Sequence, residues 1–272
     1  DVGGRLAGVA EKFRLVVGHE EGGSFRDGQD ARQTLLAPSV AWGLPGGREL
    51  SVAIEWLDDR RTTDYGIPAV NGAPADVPVG RIYTEAWGRQ HSRSSRLTAR
   101  WTQPALGGTV TAAWSWYDFR YLEYRDAEPW SVTGTTINRW YESYPERYRW
   151  ITGYLDWSGE FEAADFWHRV ATRVEVASER RSMKHGEWDD YTGIAVDNPV
   201  YAQAWAPTAE FSVYDQAWSN RSLGVVLQDE VRKGDWTWLA GVRLGYLQQV
   251  FDFADVLPTP GQQHTRQTDS AV

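Results

Sequence analysis

The chain has 272 residues, no Cys and a formal net charge of −9. The lack of Cys excludes a disulfide scaffold and any thiolate zinc or iron–sulfur site, and the acidic balance argues against non-specific nucleic-acid binding. Mean hydropathy is −0.54, with no run near the roughly 18 apolar residues of a membrane-spanning helix, yet the chain carries 16 Trp and 13 Tyr against one Met.

It opens on Asp1-Val2-Gly3-Gly4, without a charged, apolar, small-residue leader. After a short extended piece over residues 2–6, period-two alternation recurs to the end. Phe13, Leu15 and Val17 alternate with Arg14 and Gly18; Leu36, Val40 and Trp42 with Ser39 and Gly43. Leu50, Val52, Ile54 and Trp56 alternate with Glu49, Ser51 and Glu55; Leu97, Ala99 and Trp101 with Arg96, Thr98 and Arg100. Val110, Ala112, Trp114 and Trp116 follow, then Ile151, Leu155 and Trp157, then Val170, Val174 and Val176 against Arg169, Arg173 and Glu175. The series ends with Leu223, Val225 and Leu227, and with Trp236, Trp238, Ala240, Val242, Leu244 and Tyr246 against Gly241, Arg243 and Gly245. This predicts about ten strands, several longer than the usual 5–6 residues of soluble sandwiches, and no helix.

Connection lengths alternate. Short ones are predicted near residues 7–11, 45–47, 104–108, 159–165 and 232–235. Long ones are predicted near 24–32, 60–90, 125–147, 181–217 and from 250 onward. Short turns at one end and long loops at the other fit an up-and-down outer-membrane barrel. Trp42, Trp101, Trp157, Trp236 and Trp238 fall beside short turns, and Trp56, Trp116, Trp150 and Tyr246 toward the long loops, the expected pair of aromatic girdles. The intervening faces carry Arg14, Glu49, Glu55, Arg100, Arg169, Arg173, Glu175 and Arg243, too many charges for a dry sandwich interior. Two other readings remain open: a complete ten-stranded outer-membrane protease or porin, and a secreted carbohydrate-binding β-domain.

Five motifs add to this pattern. Leu57-Asp58-Asp59-Arg60-Arg61 leads into Tyr65-Gly66-Ile67-Pro68-Ala69-Val70 and Ala75-Asp76-Val77-Pro78. Ser24-Phe25-Arg26-Asp27 precedes Leu35-Leu36-Ala37-Pro38-Ser39 and Trp42. Asp197-Asn198-Pro199-Val200-Tyr201, Gly224-Val225-Val226-Leu227-Gln228-Asp229 and Trp238-Leu239-Ala240-Gly241-Val242-Arg243 follow in order. In order and spacing the set resembles the barrel domain of TonB-dependent siderophore receptors. Val226 stands where that family usually has an aromatic, and Leu244-Gly245 where it has Tyr-Asp. The resemblance implies an all-β, antiparallel transmembrane β-barrel in the Gram-negative outer membrane. This chain would supply about ten strands of a barrel of about 22 strands. It implies residues 1–272 as a partial barrel domain, with the plug domain and C-terminal strands outside it and the polar tail from Pro258 ending in a loop. The implied role is import of a ferric siderophore, with iron carried as part of the substrate and no intrinsic cofactor. Its partners would be the TonB complex, reached through the plug, and outer-membrane lipid and lipopolysaccharide; nucleic acid is not expected.

No catalytic or metal site is expected. His19, His91, His168, His185 and His264 lack metal-ligand spacing. Asp58-Asp59 with Arg60-Arg61 reads as an ion-paired rim, because adjacent strand residues point to opposite faces. A protease would instead combine such acids with His185 and Asp189-Asp190. A bulky, anionic, aromatic chelate calls for flat apolar area and cationic donors. The candidates in or beside the long loops are Tyr65, Arg81, Tyr83, Trp87, Tyr121, Tyr124, Trp130, Trp140, Tyr141, Trp188, Tyr191 and Trp205.

Overall fold

The computed structural model describes residues 1–6, 8, 10–188, 193–201, 212–255 and 264–271. The described residues hold strands and turns and no helix. In chain order the strands are β1 (Val2–Leu6), β2 (Ala10–Gly23), β3 (Asp30–Leu44), β4 (Arg48–Arg61), β5 (Ala69–Val70), β6 (Ala73–Pro74), β7 (Arg89–Ala105), β8 (Gly108–Thr133), β9 (Thr136–Ser143), β10 (Glu146–Ala163), β11 (Phe166–Trp188), β12 (Ile194–Ala195), β13 (Ser212–Lys233), β14 (Trp236–Asp255) and β15 (His264–Ala271). The main sheet is an antiparallel meander, β1-β2-β3-β4-β7-β8-β10-β11-β13-β14-β15, with β9 and β12 added at its upper margin. Among the described residues β1 and β15 each pair on one side only, so the sheet stays open.

The turns explain the short end. Between β7 and β8, Leu106 and Gly107 both take left-handed backbone angles, as do Ala164 and Asp165 between β10 and β11. Two-residue turns of that hand match the right-handed twist of the flanking strands. At Gly108 a side chain would stand 2.2 Å from the Ser158 carbonyl oxygen, so only glycine lets β8 approach β10 there.

The cross-strand register sorts side chains into two faces, because directly opposite residues share a side. One continuous row runs Leu50, Trp101, Ala112, Leu155, Val174, Val225, Leu244. Val52, Ile54, Val170 and Val242 share that face, and Arg100, Arg169, Arg173 and Arg243 take the other. No large apolar residue of the row is buried: Leu155, Val174, Val225 and Leu244 are 53%, 45%, 43% and 66% exposed. An apolar surface this broad is stable against lipid, not water. The opposite face pairs its charges, Arg173 with Asp156 at 2.9 Å and Arg243 with Glu175.

Trp42, Trp101, Trp157, Trp236 and Trp238 lie outward near the short turns, and Trp56, Trp116 and Tyr246 lie outward at the other margin. Trp150 departs from the expected girdle. It sits opposite Tyr117, one residue out of phase with Ile151 and Trp116, and so faces inward.

Three expected loops are ladders instead. Residues 125–133 extend β8 and pair with β9, and residues 181–188 extend β11 against β9 and β13. Strands of 26, 23 and 22 residues in β8, β11 and β13 far exceed the roughly 9–11 needed to cross a bilayer. Above the lipid they need no alternation, which is why their sequence reads as loop. The polar tail likewise forms β15, from Ala254↔His264 to Leu247↔Ala271. It borders only the upper part of β14, where apolar side chains are not required. The 24–32 connection is shorter than expected, a turn over residues 24–29 closed by Ser24 N–H donating to the Gln29 carbonyl at 3.1 Å.

Val174→Arg is expected to cost about 2–4 kcal/mol of folding stability in phospholipid vesicles, the penalty for a cation at the bilayer midplane. Gln228→Arg, on the inner face, is expected to cost well under half as much. Urea titrations of the vesicle-inserted protein compare them, and equal losses would contradict the assignment of faces.

Candidate functional site

Functional side chains gather at the end of the long connections, on the inner face and beneath the segment 62–88. That segment is held down by its own small core. Tyr83, Ile137, Ile194 and Val196 are buried together, with Val70, Ala75, Val77 and Val132 against them. Tyr83 donates its hydroxyl to the Val196 carbonyl at 2.7 Å. Arg81 reaches the carbonyls of Val196 and Asp197 at 3.0 and 2.6 Å. Tyr201 donates to the Ile82 carbonyl at 2.6 Å.

A buried ion pair anchors the same segment to the β8–β9 hairpin. Arg139 and Glu85, with side chains 1% and 2% exposed, meet at 2.7 Å, and Arg139 also donates to the Tyr83 carbonyl at 3.1 Å. Beside it Thr84 donates to Asp126, which accepts the Ala127 N–H at 2.7 Å, and Thr84 contacts Thr63 at 3.2 Å. Burial raises the Asp126 carboxyl above the usual range, while hydrogen bonds from Thr84, Thr63 and Tyr65 act against that rise. Further along the hairpin, burial together with Glu142 pushes the Glu128 carboxyl up to about 7. Burial would raise Glu142 as well, but hydrogen bonds with His185 and Glu128 outweigh it and hold Glu142 low. His185 Nε2 lies 3.4 Å from Glu142.

An aromatic cluster opens off this framework. Tyr65 and Tyr124 share a hydrogen bond at 2.9 Å. Tyr124 stacks on Tyr144 with ring centres 3.8 Å apart, and Tyr121 meets Tyr124 edge-on at 5.5 Å and Phe119 at 4.9 Å. Burial drives the Tyr65 phenol far up, with the Asp126 charge adding to it, and pushes Tyr124 up to about 12. Both therefore keep their protons at physiological pH. A cavity of about 440 Å³ lies against Tyr65 and Tyr124, bordered by Arg61, Thr62, Gln29 and Gln90. A second, of about 350 Å³, is formed by Arg181, Trp218, Asn220, Glu179 and Phe251. There Arg181 lies over the Trp218 ring at 5.0 Å and pairs with Glu146.

The twelve sequence candidates divide accordingly. Tyr65, Tyr121 and Tyr124 come together. Arg81 and Tyr83 hold the 62–88 segment, with Tyr83 2% exposed. Trp87 packs edge-on against buried Tyr141 at 5.2 Å. Trp130 and Trp140 stack at 6.2 Å on the outer hairpin, where Trp130 is 58% exposed. Trp188 pairs by backbone with Tyr141; Tyr191 and Trp205 lie outside the described residues. Sequence reasoning missed Tyr144, Arg181 and Trp218. Once β10, β11 and β13 are extended upward, their alternation puts Arg181 and Trp218 on the inner face.

The acid pair does not converge. Asp58 binds Arg93 at 2.8 Å and His91 at 3.0 Å on the outer face, whereas Asp59 binds Arg61 on the inner face at 2.6 Å. His185 is held by Glu142, and Asp189 and Asp190 lie outside the described residues. Among the described residues no three His, Asp or Glu side chains gather as a metal site.

Glu85→Ala is expected to leave Arg139 as an uncompensated buried charge and to weaken docking of the 62–88 segment by about 3–5 kcal/mol. Limited proteolysis should then cut within residues 62–88 while the rest of the sheet stays resistant. Unchanged resistance there would refute the anchoring role.

No protein-family model matches the chain. It is 23% identical over 250 residues to the metal-pseudopaline receptor CntO of Pseudomonas aeruginosa strain UCBPP-PA14, covering 87% of this chain and 34% of the receptor. CntO of strain PAO1 matches with the same identity over 264 residues. The chain thus spans about a third of the length of these curated relatives. Among solved structures it superposes on the ferric-catecholate import receptor Fiu from E. coli K12 with a TM-score of 0.83 at 16% identity, covering all of this chain and 44% of Fiu. It also superposes on the siderophore receptor PiuA from Acinetobacter baumannii with a TM-score of 0.73 at 14% identity, covering 96% of this chain and 41% of PiuA.

Proposed function

From a chain that carries the outer-membrane β-barrel fold of the TonB-dependent siderophore receptors, we propose a part in the import of metal chelates, with a ferric siderophore as the substrate class. Residues 1–272 would form one arc of the barrel wall, a little under half of it. Further strands would close the wall, and a plug domain would receive energy from the TonB complex. In this reading the protein is a receptor and transporter rather than an enzyme, and iron enters inside its chelate.

The observation that carries the reading is the pairing of two features on one sheet. The outer face is apolar and exposed across β4 to β14, and the inner face near the long connections presents protonated tyrosines beside arginines. Phenols and an indole offer flat area at low entropic cost, and arginines pair with carboxylate or catecholate-type oxygens. Tyr65, Tyr121, Tyr124, Arg61, Arg181 and Trp218 are the proposed ligand-facing residues. Arg81, Tyr83, Trp87 and Tyr141 would shape the cover. Trp130 and Trp140 would belong to the outer rim that a chelate meets first.

The test is uptake of radiolabelled iron presented on a panel of siderophores to cells with and without the gene. One chelate should depend on the gene, and its uptake should stop when the proton gradient is collapsed. Trp218→Ala should weaken binding of that chelate by about tenfold, or about 1.4 kcal/mol, with unchanged receptor abundance. Gene-independent uptake of every chelate would overturn the proposal.

A further inference from the structure

The β8–β9 hairpin is pinned at two places of different chemistry. Arg139 and Glu85 tie it to the 62–88 segment with opposite charges. Its neighbouring register positions carry acids. Asp126 of β8 stands directly opposite Glu142 of β9, and by backbone register Glu142 stands opposite Glu187 of β11. Glu128, two residues past Asp126 and opposite Trp140, shares a face with Asp126 and Glu142. A cross-strand row of acids with another acid diagonal to it opposes the pairing of the strands that carry it.

Water does little to screen these charges. Asp126 is fully buried and Glu142 is 5% exposed. Among the described residues no arginine or lysine forms an ion pair with Asp126, Glu128 or Glu142; the base that faces them is His185 of β11, whose Nε2 lies 3.4 Å from Glu142. The 62–88 segment offers Asp126 the hydroxyls of Thr84, Thr63 and Tyr65. The Thr84 hydroxyl and the Ala127 N–H both donate to Asp126 Oδ1, and Oδ2 is buried with no hydrogen bond among the described residues. Trp140 Nε1 donates to Glu128 at 3.4 Å. Tyr124 and Tyr144 are the remaining titratable neighbours, and burial keeps both phenols protonated.

A proton supplies the compensation. Glu128 and Glu142 are hydrogen-bonded to each other. Ionised carboxylates only accept, so this bond needs a carboxyl O–H. Glu128, which burial and Glu142 push up to about 7, carries it; Glu142, held low against burial by His185 and Glu128, accepts it. Released from the sheet, Glu128 would return to the ordinary carboxylate value of 4.5. The docked hairpin therefore binds this proton more tightly than a released one. Linkage makes that contribution full at acid pH and removes it as the pH rises through about 7. Glu142 acts with the opposite sign, and its contribution is lost only below the usual carboxylate range. Docking is then firmest at about pH 5–6.

We propose that Glu128, Glu142 and His185 form a proton-operated latch, which fastens the β8–β9 hairpin against β11 in mildly acidic surroundings and loosens above neutrality. The latch reaches the candidate ligand cluster through His185, which meets Tyr144 edge-on at 5.6 Å, and through Tyr144, which stacks on Tyr124. Where those tyrosines take a chelate, an acidic medium would hold them in place. That consequence rests on the import reading; the latch itself does not.

The test is hydrogen–deuterium exchange of the full-length receptor in detergent, read by mass spectrometry from about pH 5.5 to about pH 8.5. Labelling times are scaled for intrinsic exchange, and EDTA is present throughout. Peptides within residues 126–143 should exchange at least about fivefold faster at the alkaline end, while peptides within residues 150–160 of β10 should not change. Glu128→Gln keeps a donor without the charge and should stay slow at about pH 8.5. Glu123→Gln removes a more exposed carboxylate from the same strand and should respond like wild type. A wild-type hairpin with no pH response would overturn the proposal. So would an undiminished response in Glu128→Gln, or a lost one in Glu123→Gln. No chelate is present, so failure here leaves the import reading standing, and failure of iron uptake leaves the latch standing.

Discussion

Backbone hydrogen bonding in lipid is the constraint on which everything else here depends. A bilayer offers no water to unpaired N–H and C=O groups, so a strand can cross only when both its edges are laddered to neighbours. From β2 to β14 every long strand is laddered on both sides in sequential order. With the backbone satisfied, side chains alone face the two solvents. A period of two then forces an apolar residue outward at each charged residue's neighbour. Polar mean hydropathy and a membrane location are compatible for that reason.

The same alternation locates the functional end. Short left-handed turns hold one margin of the sheet close to the bilayer, whereas β8, β11 and β13 run on beyond it at the other. Those extensions, with β9 and the 62–88 segment, build a folded cover outside the membrane. It is held by a packed core around Tyr83 and Ile137 and by the Arg139–Glu85 pair. The tyrosine cluster is placed by this cover and by the inner face beneath it.

The fold was legible where lipid imposes a pattern. Leu50, Val174, Val225 and Leu244 alternate with charge strictly enough to give face, strand and direction from sequence alone. Legibility failed above the lipid, where that pressure ends. Residues 125–133 and 181–188 read as loops because both faces of those extensions meet water or protein and both tolerate polar residues. The tail 264–271 read as loop for the same reason, since it borders only the upper half of β14. Trp150 reads as an outer-girdle residue because it is a tryptophan near a strand end; its phase relative to Ile151 is the better guide and turns it inward. Within the site, Tyr65 and Tyr124 were legible as loop-side tyrosines. Arg181 and Trp218 are hidden because the strict apolar alternation that marks their strands in sequence ends before it reaches them.

The central claim is that one face of this sheet meets lipid and the other an aqueous lumen. Because the chain contains no Cys, single cysteines can be placed without background. Val174→Cys, Val225→Cys and Leu244→Cys should resist a charged, water-soluble maleimide in intact outer membranes and react only after detergent extraction. Cysteines at Arg173, Val226 and Arg243, one residue away in each strand, should react in the membrane through the lumen. Equal labelling of both sets in membranes would contradict the account.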